Sequence, residues 1–225
     1  MLSYITTYGL MLLYYYFFFR IVKAGYKKSN GHLKDILSGK GEADILFTRL
    51  LSGIFLLGFG VIIISIKSNI DVEIFTLIWI DYSIAVWIIV IGAIIIGIIS
   101  AFKKIYPSNN SCHFLPSYLP LSFVFVRTLF LIVYECFFRG VMLFIMIEDL
   151  GPAMAVVVNL MLYASLHWFD KKERYGSLLM GCILCGVSIY YHSVWPAIII
   201  HLSLALSHEI TLLINNKSLI KKSWL

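Results

Sequence analysis

The chain has 225 residues, of which 60% are hydrophobic and only 13% charged, with a formal net charge of +6. A soluble domain is nearer 45–50% apolar and about 25% charged, and a chain of this length cannot bury so much apolar surface in a core of its own. A soluble enzyme, a disordered tail and a disulfide-stapled secreted domain are excluded, and lipid is left as the main solvent.

A helix needs about 20 apolar residues to cross a hydrocarbon core of about 30 Å. Seven segments qualify in chain order: Leu2–Phe19, Leu50–Ile66, Ser83–Phe102, Leu119–Ile147, Pro152–Trp168, Ser177–Tyr191 and Val194–Ile214. All read as helices, because they lack the two-residue alternation of a barrel strand. Leu2–Phe19 has no basic residue before it and no small-residue cleavage site after it, so it reads as a span rather than a signal peptide. Between the first two spans lies the polar stretch Lys23–Asp44, read as a loop with one short surface helix. Leu119–Ile147 is 29 residues long, about 44 Å as a helix. Pro116 and Pro120 mark a break at its start, and it is read as one long helix whose first turns lie along the interface.

Basic residues test this topology. With the N-terminus outside and the C-terminus inside, the inner loops and tail carry 15 of the 18 lysines and arginines. They are Arg20, Lys23, Lys27, Lys28, Lys34, Lys40, Arg49, Lys103, Lys104, Lys171, Lys172, Arg174, Lys217, Lys221 and Lys222. Only Lys67 falls outside, while Arg127 and Arg139 lie within the long apolar stretch. This is the positive-inside pattern. It accounts for the net charge through an anionic lipid leaflet, with no nucleic acid as partner. The expected fold is an all-α polytopic membrane bundle of about seven transmembrane helices. It divides into N-terminal helices and a basic loop (1–117), a helical core (118–214) and a short basic tail (215–225). Of the four cysteines, Cys112, Cys136, Cys182 and Cys185, the last two form a CxxC. With no second ligand pair and an apolar setting, they read as small packing residues.

Ionisable groups inside spans cost several kcal/mol and mark function by default. Three sets stand out. Glu135 and Arg139 are four residues apart, so they share a helix face and can pair, either at a site or as a neutral pair that docks helices. Asn159, Tyr163 and His167 form a polar stripe at successive i+4 spacing, which would also suit interhelical hydrogen bonds. His201, followed by His208 and Glu209, shares a face with His208. A lone interior histidine is often simply a satisfied polar group. Taken together the sets converge. The turn at Gly151–Pro152 lies 16 residues after Glu135 and 16 before His167, so an antiparallel hairpin places the two level. His201, eight residues beyond Ser193, is expected about 12 Å from the outer side, against about 24 Å for the other two. Tilt and loop ends must absorb that difference. A carboxylate and two imidazoles meeting inside a bundle suit water activation or cation binding.

These residues resemble a known family. YECFFRG, around Tyr134, Glu135 and Arg139, resembles the first motif of the CPBP intramembrane proteases, the Abi or type 2 CAAX protease group: two glutamates, three residues and an arginine. YASLH, with Tyr163 and His167, is similar to the second motif. HLSLA, with His201 and Ala205, resembles the third, a histidine and three residues before an asparagine. The resemblance covers about Leu119–Leu206. It implies an integral membrane endopeptidase, of a bacterial cytoplasmic membrane, acting on a peptide or membrane-protein substrate near the cytoplasmic face, with lipids as its surroundings. Processing of CAAX ends, or bacteriocin processing and immunity, would be its role. Glu135 with His167 would activate water, His201 would hold the oxyanion, and Arg139 would orient Glu135. Asn159 and Tyr163 would touch substrate or brace His167. Metal involvement is disputed for the family; a divalent ion such as zinc would have Glu135, His167 and His201 as ligands. Two positions depart from the pattern. Tyr134 stands where the first glutamate is expected, and a phenol is a poor base at neutral pH. Ala205 stands where the asparagine is expected, removing one oxyanion donor; His208, close to one turn further on, would be a substitute. These departures keep open a catalytically impaired relative acting as a binding or immunity protein. A small ion transporter using the Glu–His cluster is a third reading, although no inverted repeat is visible.

Overall fold

The computed structural model describes residues 2–29, 33–37, 42–68, 70–76, 82–102, 119–168 and 171–215. Cys112, Pro116, the 117/118 boundary, Lys40, Lys103, Lys104 and the basic tail lie outside these residues. The elements are α1 (Leu2–Ser29), α2 (Leu33–Leu37), α3 (Ala43–Ser68), a 3-10 turn (Val72–Phe75), α4 (Ile84–Phe102), α5 (Leu119–Glu135), a π-helical segment (Cys136–Met142), α6 (Leu143–Leu150), α7 (Pro152–Leu166), α8 (Lys171–Tyr191) and α9 (Trp195–Asn215). The described residues contain no strand, as an all-α bundle requires.

Five stretches are long and apolar enough to cross a membrane: Ile5–Tyr26, Ala43–Ser68, Ile84–Phe102, Pro120–Leu150 and Trp195–Asn215. Two of the seven expected spans fall short of that standard. α7 has 15 residues, about 22 Å of helix. α8 spends its first turn on Lys171, Lys172, Glu173 and Arg174. The stretch expected to be a loop is also partly helical. α1 continues through Ser29, and the expected short helix is α2, whose Leu33, Ile36 and Leu37, at i, i+3 and i+4 spacing, form a buried face. The long apolar segment is one continuous rod, as expected, but with a π-helical stretch in its middle.

The apolar stripes explain the packing. On α3, Leu46, Leu50, Gly53, Leu57, Gly60 and Ile64 are buried at alternating spacings of four and three, a helix face that meets α1 and α5. On α4 the buried residues are Val86, Val90, Ala93, Gly97 and Ala101. Three of these are small and lie four apart, the pattern that lets membrane helices approach closely. Here they let α9 in: a β-carbon on Gly97 would lie 2.0 Å from Ser207 Oγ and 2.7 Å from the Leu204 carbonyl oxygen. The opposite face of α4 exposes Ile88, Ile91, Ile95 and Ile99, as a lipid-facing surface should. Cys182 is exposed and Cys185 buried, so the CxxC does not present two thiols to one site. Cys185 Sγ instead donates to Asn159 Oδ1 at 3.5 Å.

The middle of the bundle is fixed by close contacts onto the π segment. Gly140 receives the 3-10 turn: a β-carbon there would stand 2.4 Å from a ring carbon of Phe75. That turn is tied to the start of α9 by Val194 N–H to the Ile74 carbonyl, 3.1 Å, and by Trp195 Nε1–H to the Phe75 carbonyl, 3.0 Å. Gly151, between α6 and α7, has φ +77°, a left-handed conformation that favours glycine, and Pro152 follows as the first helical residue.

Candidate active site

Glu135 closes α5, and its carboxylate is 1% exposed. Two groups hold it. Arg139, one turn on and fully buried, places a terminal guanidinium nitrogen 3.3 Å from Oε2. His201, from α9, places Nδ1 2.5 Å from Oε1. The i+4 pairing read from the sequence is therefore present, and a distant imidazole completes it. The carboxylate and guanidinium cancel in charge, which is how a buried ion pair is tolerated in a low-dielectric interior. Arg139 also lies 4.0 Å over the ring of Tyr163, a cation–π contact. Gly181 of α8 closes that side: a β-carbon there would come 3.4 Å from both Arg139 and Tyr163.

His201 meets Glu135 despite the expected 12 Å difference in depth, because the turns before α7 and before α9 are not level. The His192 ring, at the α8–α9 turn, packs against Phe144 with centroids 4.9 Å apart. Phe144 lies seven residues before Gly151, about 10 Å along a helix. The α8–α9 turn thus starts about that much deeper, held there by the 3-10 turn.

The stripe Asn159, Tyr163, His167 does not act as one unit. Asn159 is fully buried and donates from Nδ2 to the Phe138 carbonyl at 2.7 Å. It braces the π segment, where helical bonding is irregular. Tyr163 is buried beneath Arg139. His167, the residue that ends α7, keeps partial exposure, with its ring 5.2 Å from that of Tyr163. It joins the group through Tyr163, while the imidazole directly on Glu135 is that of His201.

A cavity of about 390 Å³ adjoins these residues. His201, His167, Tyr134, Tyr163 and Ala205 line it, together with Tyr26, Arg49, Gly176 and Ser177. The latter come from the end of α1, the start of α3 and the start of α8, where basic residues gather. Glu135 is not in the wall; His201 stands between it and the space. The cavity wall also holds a pair the sequence reading did not assemble. Arg127 Nε is 3.1 Å from Glu209 Oε1 and 3.3 Å from Oε2. Arg127 is eight residues before Glu135, and Glu209 eight after His201, so α5 and α9 run antiparallel with two polar pairs in register. An arginine and a glutamate in apolar helices were the available signal; the register joining them was not. His208, proposed as a substitute donor, also lines the cavity, and its Nδ1 is 3.3 Å from the Gly97 carbonyl.

Among the described residues no group of three or more histidine, cysteine, aspartate or glutamate side chains is placed to hold a metal ion. As placed, Glu135, His167 and His201 do not form the zinc ligand set that the resemblance allowed, since Glu135 is engaged by Arg139 and by His201 Nδ1.

Residues 116–206 match the family described as type II CAAX prenyl endopeptidase, Rce1-like. The match covers about two fifths of the chain and includes Tyr134, Glu135, Arg139, Tyr163, His167, His201 and Ala205. The resemblance read from three short motifs is borne out over that stretch. No curated protein and no solved structure matches the chain.

Proposed function

We propose that the protein is an intramembrane endopeptidase that cuts a peptide bond by addition of water, in a cavity reached from the basic end of the bundle. The observation that carries this reading is the 2.5 Å contact of Glu135 Oε1 with His201 Nδ1 at the wall of a space that His167 also lines. The family match supports the reaction class.

The carboxylate fixes the tautomer of His201. Nδ1 carries the hydrogen toward Glu135, which leaves the lone pair of Nε2 for a water molecule. Water reaches the imidazole rather than the buried carboxylate, so His201 is the base and Glu135 its orienting partner, a change from the roles the resemblance implied. His201 Nε2 takes a proton from water, and the hydroxide adds to the carbonyl carbon. The carbonyl electron pair moves onto oxygen, where His167 donates a hydrogen bond. Collapse breaks the C–N bond, and the proton on Nε2 passes to the leaving amine. The Glu135 carboxylate, paired with Arg139, faces the imidazolium formed in the first step and stabilises it. The substrate is a membrane-anchored peptide, of the CAAX-end or bacteriocin-precursor type, entering from the cytoplasmic face of a bacterial membrane. The basic residues at that end, including Arg49, favour this orientation.

A second reading has its own observation. Tyr134, a buried phenol, and Ala205, an apolar side chain, occupy the two places where the family pattern has an ionisable and a donor group. They favour a binding or immunity protein derived from a protease. The deciding experiment is cleavage of fluorogenic membrane peptides, with and without a CAAX end, by purified protein in lipid nanodiscs. Cleavage by the wild type that is lost in His201→Ala supports the peptidase. Cleavage only after Tyr134→Glu with Ala205→Asn establishes the second reading instead.

A further inference from the structure

Tyr134 is 4% exposed and lines the cavity beside His201 and His167. Its ring is enclosed by aromatic neighbours: Phe138 at 4.6 Å between centroids, Phe130 at 5.6 Å, Tyr163 at 5.8 Å and Phe18 at 6.0 Å. The imidazole of His201 stands edge-on at 6.2 Å. A phenylalanine would make every one of these contacts. The hydroxyl is the one thing tyrosine adds, and among the described residues it has no hydrogen-bond partner. A buried hydroxyl left unpaired costs about 1–3 kcal/mol, so in the protein alone the oxygen works against the fold. Buried polar groups that the protein does not satisfy call for an explanation in terms of water, ligand or catalysis. Here the side chain that carries the unsatisfied hydroxyl lines the cavity, with its ring beside the imidazole proposed as base.

We infer that the Tyr134 hydroxyl is a catalytic residue, donating a hydrogen bond to the substrate carbonyl oxygen as that oxygen takes up negative charge beside His201. This rests on the peptidase reading above and deepens it. Tyr134 keeps its proton throughout, and no bond at the residue forms or breaks; the contribution is a fixed donor in a water-poor site, where a single such donor is worth about 100- to 1,000-fold in rate. The donor is directional and strengthens only as charge develops, so it acts on kcat rather than on KM.

The test is Tyr134→Phe, which removes one oxygen and keeps the ring. Cleavage of a membrane peptide in nanodiscs is expected to fall about 100-fold in kcat, with KM within about twofold. Binding of a peptide aldehyde, whose hydrate imitates the tetrahedral intermediate, should weaken by a similar factor. Thermal unfolding of the variant should occur at the same temperature as wild type or higher. An active wild type, an inactive His201→Ala and a Tyr134→Phe within twofold of wild type would overturn the role of Tyr134 and leave the peptidase intact. A loss of activity matched by earlier unfolding would also overturn it, showing a structural role. A wild type that neither cleaves nor binds the aldehyde removes the peptidase reading, and this inference with it.

Discussion

Replacing Arg139 with methionine, while Glu135 remains, leaves a carboxylate that is 1% exposed without its cationic neighbour at 3.3 Å. Breaking a buried pair from one side costs about 3–5 kcal/mol, whereas replacing both partners with neutral groups of similar volume is often neutral or stabilising. The methionine sulfur, placed where the guanidinium lies 4.0 Å over Tyr163, recovers part of the ring contact. At roughly 2–4 °C per kcal/mol for a chain of this size, the single variant should unfold about 6–20 °C below wild type. The double variant Glu135→Gln/Arg139→Met should return to within about 4 °C, since no charge is then stranded. Circular dichroism of the helix band on heating in detergent measures both. A single variant as stable as wild type would show that Glu135 is not held by Arg139 in the folded protein. A double variant no better than the single would show that Arg139 matters for its volume, not its charge.

Other substitutions probe the frame around the site. Gly97→Ala puts a methyl 2.7 Å from the Leu204 backbone oxygen and should destabilise by about 1–3 kcal/mol through overpacking of α4 on α9; Gly92→Ala, which meets nothing within 4 Å, should be neutral or stabilise by up to about 1 kcal/mol. Comparing the two unfolding temperatures checks that α4 faces α9 through its small residues. Asn159→Leu removes the side-chain donor to the Phe138 carbonyl, which keeps only the Leu143 N–H, and should cost about 0.5–1.5 kcal/mol. Hydrogen exchange should then quicken within Cys136–Met142 more than elsewhere, and uniform exchange would contradict a local brace.

The helical class, the single rod over the long apolar segment and the Glu135–Arg139 pair were legible because each depends on local spacing. Charged residues one turn apart in an apolar helix have few partners besides each other. What was not legible depends on levels between distant turns. The depth of His201 is set by the 3-10 turn Val72–Phe75, which joins α9 through the Ile74 and Phe75 carbonyls. Nothing in the short polar segment around those residues announces that role. The same reason hid the Arg127–Glu209 pair: each residue is conspicuous in its helix, but only the antiparallel register of α5 and α9 joins them. The stripe Asn159, Tyr163, His167 misled in another way. Its spacing correctly put the three on one face, yet that face meets three surroundings along its length: the π segment, the guanidinium and the cavity.

The central claim is that Glu135 and His201 work as one unit on water. It is tested most directly by single-turnover cleavage of a membrane peptide by wild type, Glu135→Gln, His201→Ala and the double variant. The account predicts that each single variant loses about 100- to 10,000-fold in rate, and that the double loses no more than the worse single, because residues acting as a unit are not additive. A Glu135→Gln variant that cleaves at the wild-type rate, or losses that multiply in the double, would contradict it.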